Sequence, residues 1–405
     1  MVTIKDSVHD HITVSGVAES LLDTPPVQRL RRIKQLGTVE LVYPSANHTR
    51  FEHSLGVYHL ATRALEQLGI SGIQADRICA AALLHDIGHS PCSHNIEQII
   101  ERHLGKRHDE VLDILETDSV AGVLSDYSLN PKRIAELIAG KGEFGQLVSG
   151  ELDVDRMDYL VRDAHHTGVP YGTIDTGRLV RELRFVEGEL VLAEGNVQTA
   201  ESLLLARALM NPVVYNHHVA RISKAMLRRA TEKLLRDGII TPQRLRRMDD
   251  YDLFSILRES DATESLVHRL DTRQLYKRAV WAERRDVPAD LREASYEEVQ
   301  KLESEIADRA DISEDAVILD IPPEPAIRES TSRVIVNGTV RRLSTQSTLV
   351  SALRRAQLEQ WRFGVYTRPE LTDQVGHTAE DVLGLDLETR VVTVRKGLHA
   401  TLDEF

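Results

Sequence analysis

Leu83-Leu84-His85-Asp86-Ile87-Gly88-His89-Ser90-Pro91 is the stretch on which the fold turns. An apolar run of small residues, Cys79-Ala80-Ala81-Ala82-Leu83-Leu84, leads straight into an adjacent histidine and aspartate. The run has helix composition, and Gly88 and Pro91 mark where a helix should stop. His85 and Asp86 are therefore expected on the last turn of a buried helix. A carboxylate there opposes the helix dipole, whose carboxyl end disfavours negative charge. A neighbouring positive charge should compensate, and a metal ion is the simplest; the plain alternative is a surface His-Asp pair.

Working outward, Arg50-Phe51-Glu52-His53-Ser54-Leu55-Gly56-Val57 opens a helix running to Gly69. His53 lies in its first turn on the side of Leu60 and Ala64, as a hydrogen-bonded core histidine or as a ligand. Downstream, His94-Asn95-Ile96-Glu97 begins a further helix with His94 and Glu97 one turn apart. A carboxylate bonded to one ring nitrogen fixes the tautomer and raises the pKa of the other, as a general acid needs. His108-Asp109-Glu110 is expected to open another amphipathic helix.

In Leu152-Asp153-Val154-Asp155-Arg156-Met157-Asp158-Tyr159-Leu160-Val161-Arg162-Asp163, helical spacing lines up Asp155, Tyr159 and Asp163, with Arg156 beside them. Met157, Leu160, Val161 and Ala164 lie opposite and can pack. Asp158 and Arg162 read as an ordinary i,i+4 salt bridge.

Residues 2 to 14 alternate as a short hairpin, and residues 23 to 37 read as a short basic helix delimited by Pro25-Pro26 and Gly37. A second hairpin is expected around Glu187-Gly188. Between Ser202 and Arg247 basic residues dominate, and Arg221, Lys224 and Arg228 form a stripe at helix spacing. Such a stripe is a solvated face or a site for a phosphate-bearing ligand, an acidic subunit surface or nucleic acid. Beyond Asp249 the chain is acidic and helical to about Asp311. Strand signals then return at 316–320, at 333–341 around Asn337-Gly338, at 363–366 and at 390–394, with helices at 347–361 and near Glu380. The expected fold is mainly α: an all-helical core with short β-hairpins and a helical extension over 1–310, and a small α+β appendage over 311–405.

The 405 residues, 41% hydrophobic and 28% charged, suit a folded chain of two domains, or of one large domain with an appendage. A net charge of −13 disfavours general nucleic-acid binding, which needs a basic surface. The two cysteines, Cys79 and Cys92, lack metal or redox spacing and suggest a reducing compartment. No signal peptide or membrane-spanning stretch is visible, so a cytoplasmic location is expected.

His53, His85, Asp86 and Asp155 together offer two imidazoles and two carboxylates, a set suited to Mn²⁺, Fe²⁺, Zn²⁺ or Ni²⁺. Such an ion activates water and polarises a phosphoryl oxygen. Arg50, Arg156, Arg207, His89, His94 and His108 can neutralise a polyphosphate around it.

These motifs resemble the HD-domain metal-dependent phosphohydrolases, whose pattern is His…His-Asp…Asp. The segments Asp23-Thr24-Pro25, Gln28-Arg29-Leu30-Arg31, Arg50 to Gly56, His85 to His89 and Asp153 to Tyr159 resemble the dNTP triphosphohydrolase branch, over roughly residues 1 to 240. The resemblance implies His53, His85, Asp86 and Asp155 as metal ligands, with Mg²⁺ on the phosphates as a further ion. It implies His94 with Glu97, flanked by His89, as the catalytic group that protonates the 5′-oxygen; the family usually has Asp where this chain has Glu97. Arg50, His89, His108, Arg156 and Arg207 would hold phosphates, Arg156 standing where Lys is frequent. Gln35 and Asp163 would meet the sugar 3′-hydroxyl, Tyr159 and Tyr215 would pack on the sugar, and Leu36 would line the base pocket. Asp23, Gln28 and Arg31 match residues that read the guanine of a GTP or dGTP activator. The implied protein is a homo-oligomer, dimer or tetramer, that splits dNTPs into deoxynucleoside and triphosphate. An HD phosphodiesterase or nuclease, and a nucleotide-sensing assembly with a structural metal, are the alternatives.

Overall fold

The Arg50–Leu68 helix packs against both the Ile73–Leu84 and the Val154–Thr167 helices and so holds the centre of the first half. Thr49 and Glu52 close a reciprocal capping box at its start, satisfying backbone donors that a helix N-terminus leaves open. Gly69 ends it in the left-handed region, with φ at 68°. In this computed structural model, which describes residues 1–323 and 332–385, helices dominate and the strands form three small sheets. The fold is mainly α, as the pattern of helices and short hairpins along the chain leads one to expect.

Two helices flank the Arg50–Leu68 helix. Ile73–Leu84 presents Ala80 to Leu84, every one 0% exposed, to the core. It stops at Leu84, so His85 caps it and Asp86 stands in the loop beyond rather than on the last turn. Val154–Thr167 starts at Asp153, whose side chain accepts from the Arg156 backbone N–H, and ends at Gly168. Met157 and Leu160 are buried, as the helical periodicity predicts. The hairpin Val2–Asp6 with Asp10–Val14, in register Val2 to Val14, buries Ile12 and Val14 in the same core.

Some expectations needed tertiary correction. The helix expected over 23–37 is Pro25–Arg29 continued by a single 3-10 turn, Leu30–Arg32. Gly37 lies in the following loop at φ 58°, where a Cβ would stand 2.4 Å from the Asn95 side chain and 2.7 Å from the Cys92 carbonyl. His108-Asp109-Glu110 opens no helix, and the next helical turn is Leu112–Leu115. That loop crosses the His85–His89 turn so closely that a Cβ on Gly88 would stand 2.1 Å from the His108 carbonyl.

The later sheets join distant segments. The hairpin Leu183–Val186 with Glu189–Leu192 pairs in parallel, through Val191 to Arg333, with the hairpin Arg333–Val336 and Thr339–Arg342. A three-stranded antiparallel sheet places Arg362–Thr367 between Lys277–Glu283 and Ile318–Asp320. The strand Lys277–Glu283 was not expected in the acidic helical stretch. The boundary expected at 310 thus falls between strands of one sheet. The strand expected at 390–394 lies outside the described residues.

The basic stripe faces inward. On the His218–Arg236 helix, Arg221 Nε donates to Asp320 Oδ2 at 2.7 Å and Arg228 Nε to the Asn95 carbonyl at 2.6 Å. The stripe packs the helix onto the sheet and onto the turn carrying His94, rather than forming a solvated face.

Candidate metal centre and substrate face

Three helices and one loop deliver four side chains to a point. His53 Nε2 stands 2.9 Å from Asp155 Oδ1, 3.2 Å from His85 Nε2 and 3.8 Å from Asp86 Oδ2. His85 Nε2 is 3.3 Å from Asp86 Oδ1 and 3.8 Å from Asp155 Oδ1. His53, His85 and Asp86 are buried, and Asp155 closes the cluster from the more open side.

The other nitrogen of each ring is committed elsewhere. His85 Nδ1 donates to the Ala82 carbonyl at 2.9 Å, and His53 Nδ1 donates to Asp158 Oδ2 at 2.7 Å. Donation from Nδ1 leaves the neutral ring's lone pair on Nε2. Two such lone pairs facing each other at 3.2 Å repel unless a proton or cation lies between them. Two imidazoles and two carboxylates with their outer nitrogens fixed are a donor set that fits a divalent transition metal. Burial disfavours a charged His53, but Asp155, Asp158 and Asp86 outweigh it and push its pKa up to about 10. A cation entering the cluster therefore displaces a proton.

Asp86 finds its compensating charge in protein as well. Burial raises its pKa, yet Arg50 and the flanking histidines hold it well below the usual carboxylate range. Arg50 Nη1 donates to Asp86 Oδ2 at 2.7 Å, and Arg50 Nε donates to Ser93 Oγ at 2.6 Å. Ser93 and Cys92 sit at φ 57° and 56°, a strained turn that presents His94.

Beside the cluster, three histidines gather around Glu97. His89 and His108 stack with ring centroids 4.2 Å apart, and His94 meets both edge-on at 4.7 and 5.0 Å. His94 Nδ1 donates to Glu97 Oε2 at 2.6 Å, and His108 Nδ1 donates to Glu97 Oε1. One carboxylate thus orients two imidazoles. Burial opposes protonation of His108, but Glu97 outweighs it and raises its pKa; burial and Arg50 lower that of His89.

The sugar-side candidates form a third group. Asp163 Oδ1 accepts from His48 Nε2 at 2.8 Å and Asp163 Oδ2 accepts from Tyr215 Oη at 2.8 Å. Tyr215 ends a π-helical turn, Asn211–Tyr215, that follows the Val197–Met210 helix; such turns recur at functional sites. Tyr159 lies edge-on to Tyr215 at 6.1 Å and to His53 at 6.4 Å. Arg207 is close enough to favour ionisation of both tyrosines, against a burial that raises their pKa values. Gln35 is buried and Leu36 packs against the core. Arg156 stays beside Asp155, its Nη1 donating to the Glu151 carbonyl at 3.5 Å.

Asp23, Gln28 and Arg31 do not join these groups. Asp23 is exposed, Gln28 Nε2 donates to the Leu22 carbonyl at 2.8 Å, and Arg31 lies 3.6 Å over the Phe51 ring.

Several contributors escaped sequence reasoning. Asp158 and Arg162 form a fully buried pair behind His53 rather than an ordinary salt bridge. Arg29 Nη2 donates to the carbonyls of Ile87 and His89 at 2.8 and 2.7 Å, clasping the loop that carries Asp86. Asp250 accepts from the backbone N–H groups of Lys34 and Cys92 at 2.9 and 2.6 Å, tying two loops to the second half of the chain. The only signal for these was an excess of charge among apolar neighbours.

Residues 50–163 match the HD domain and residues 174–394 match the HD associated region. The chain belongs to the HD-domain phosphohydrolases that carry this associated region. Among its relatives, an uncharacterised protein of Methanocaldococcus jannaschii is 34% identical over 100% of this chain and 88% of its own length. The deoxynucleoside triphosphate triphosphohydrolase SAMHD1 of Gallus gallus is 29% identical over 58% of this chain, which spans only 45% of that protein. A phosphohydrolase of Bacteroides thetaiotaomicron superposes with a TM-score of 0.74 at 26% identity, covering 91% of this chain and 100% of that one. A hypothetical protein of Aquifex aeolicus gives 0.76 at 26% identity, covering 93% and 99%. No helix among the described residues is long and apolar enough to cross a membrane.

Proposed function

We propose that the protein hydrolyses deoxynucleoside triphosphates at the α-phosphorus, releasing deoxynucleoside and triphosphate. The observation that carries this reading is the meeting of His53, His85, Asp86 and Asp155 beside a Glu97-oriented pair of imidazoles. Relatedness to named dNTP triphosphohydrolases supports the substrate class.

The four residues would hold the ion; when bound, a divalent ion supplies Lewis-acid activation of water and of the phosphoryl group. His94, its Nδ1 fixed by Glu97, hands a proton to the departing 5′-oxygen, a role worth about 10²–10⁴-fold. Protonated His108, with Arg156, Arg207 and Arg50, offsets the charge that builds on the phosphate oxygens. His89, kept neutral, stacks on His108 and holds it in place. Asp163 and Tyr215 form a polar wall for the sugar 3′-hydroxyl, with Gln35 as its partner, and Tyr159 closes against the ring where a 2′-hydroxyl would stand. Leu36 lines the base pocket. Asp23, Gln28 and Arg31 form the recognition edge for a guanine-nucleotide activator acting on a homo-oligomer.

Incubating Mn²⁺-loaded protein with each of the four dNTPs, with and without GTP, and separating the products tests the reaction. Deoxynucleoside plus tripolyphosphate is the expected outcome. Nucleoside monophosphate plus pyrophosphate would place the cleavage at another bond and overturn it.

A further inference from the structure

Behind His53 lies a network that reaches the start of the chain. Asp158 accepts at both oxygens: from His53 Nδ1 at 2.7 Å and Arg162 Nε at 2.9 Å on Oδ2, and from His9 Nε2 at 2.6 Å and Arg162 Nη2 at 3.0 Å on Oδ1. The remaining fork of Arg162 donates to Asp6, Nη1 to Oδ2 at 2.8 Å and Nη2 to Oδ1 at 3.2 Å. Asp6 Oδ1 also accepts the backbone N–H groups of Val8 and His9 at 2.9 and 2.8 Å. That turn is what aims His9 at Asp158. Asp158 and Arg162 are 0% exposed. Gly56 makes the approach possible, since a Cβ there would stand 1.8 Å from Asp158 Oδ1 and 2.5 Å from Arg162 Nη2.

Two carboxylates share one guanidinium here, so the buried network carries an excess negative charge one imidazole away from the candidate centre. A carboxylate whose lone pairs are all engaged cannot swing, and it holds His53 with Nε2 toward the cation. Resting on the metal reading above, we infer that Asp158 is a positioning residue for His53, and that the N-terminal hairpin, through Asp6 and His9, sets the affinity of a centre it does not touch. Cation and hairpin then stabilise one another, because a coupling between two sites is reciprocal.

The test is Mn²⁺ affinity, read from the electron paramagnetic resonance of free Mn²⁺ on chelator-stripped full-length protein. Near-UV circular dichroism and the metal-free Tm are followed alongside. Asp158→Asn is expected to weaken binding by about 10- to 100-fold and Asp6→Asn by about 10-fold, the range for outer partners of metal ligands. His9→Ala is expected to weaken binding, whereas His9→Gln, which keeps a donor, restores most of it. Each variant is also expected to gain less Tm from Mn²⁺ than the wild type. Mn²⁺ affinities within twofold of wild type in the folded variants would overturn the inference. Should Asp158→Asn or Asp6→Asn fail to fold, the His9→Ala and His9→Gln pair decides on the same measurement. A wild-type protein that binds no Mn²⁺ would instead sink the metal reading itself.

Discussion

Two helices in this chain carry charges at helical spacing on faces that end up inside, and the fold treats them differently. On Val154–Thr167, Asp155, Asp158, Arg162 and Asp163 each meet partners from other elements: His53, His9, Asp6, His48 and Tyr215. On His218–Arg236, Arg221 takes Asp320 and Arg228 takes a carbonyl, whereas Lys224 makes no hydrogen bond or ion pair among the described residues. The carboxylates nearest to it are engaged, Asp320 with Arg221 and Tyr366 and Glu97 with His94 and His108. Burial and the neighbouring Arg228 push its pKa down to about 7. One face is thus compensated contact by contact, and the other leaves a cation over. Buried charge is organised only where distant elements bring the opposite sign.

The largest effect expected lies at the compensated face. Asp155→Ala removes the carboxylate nearest His53 Nε2 and should lower the proposed hydrolysis by on the order of 10³-fold or more, several kcal/mol of transition-state stabilisation. Steady-state rates and bound-metal content check it, and a variant retaining full metal and rate would dissolve the contrast at once.

Next comes Arg162→Met, which strands Asp6 without its cation and leaves Asp158 with the imidazoles of His53 and His9 alone. Breaking a buried pair by removing one partner costs about 3–5 kcal/mol, so urea unfolding midpoints should fall accordingly. A near-neutral result would mean that the carboxylates find water or protons readily.

The smallest shift, and of opposite sign, is expected from Lys224→Met. A lysine lowered from 10.5 to about 7 in the folded state loses proton binding on folding. Its contribution is fully favourable above 10.5 and is lost as pH falls through about 7. At neutral pH the variant should therefore be more stable than wild type, by roughly 1–3 kcal/mol. The gap should close as pH rises from 7 toward 10, as unfolding curves at both ends of that range would show. A destabilised variant would place a partner on Lys224 and make the two faces alike.

Much of this was readable beforehand, for a physical reason. Helix periodicity, Gly69 and the Asn337-Gly338 turn are local signals, and the helices and hairpins they announce are present. The four candidate ligands stood out because imidazoles and carboxylates beside apolar runs are costly unless something binds them. Their supports did not stand out. Asp158 and Arg162 have the spacing of a surface salt bridge, and nothing near Asp6 or His9 hints at residues some 150 positions away.

The stripe on His218–Arg236 turns inward unannounced for the same reason, since spacing tells which residues share a face but not what that face meets. The loop at His108 failed for a related reason. Its residues suit a helix start, but Glu97, which accepts from the His108 backbone N–H at 3.4 Å, and the close crossing at Gly88 claim the backbone first. By itself, then, the sequence determined the long helices and the tight hairpins, and which side chains could not be buried without chemistry. Only the tertiary structure decided the charge partners, because these come from elements far apart in the chain, and local propensity carries no information about them.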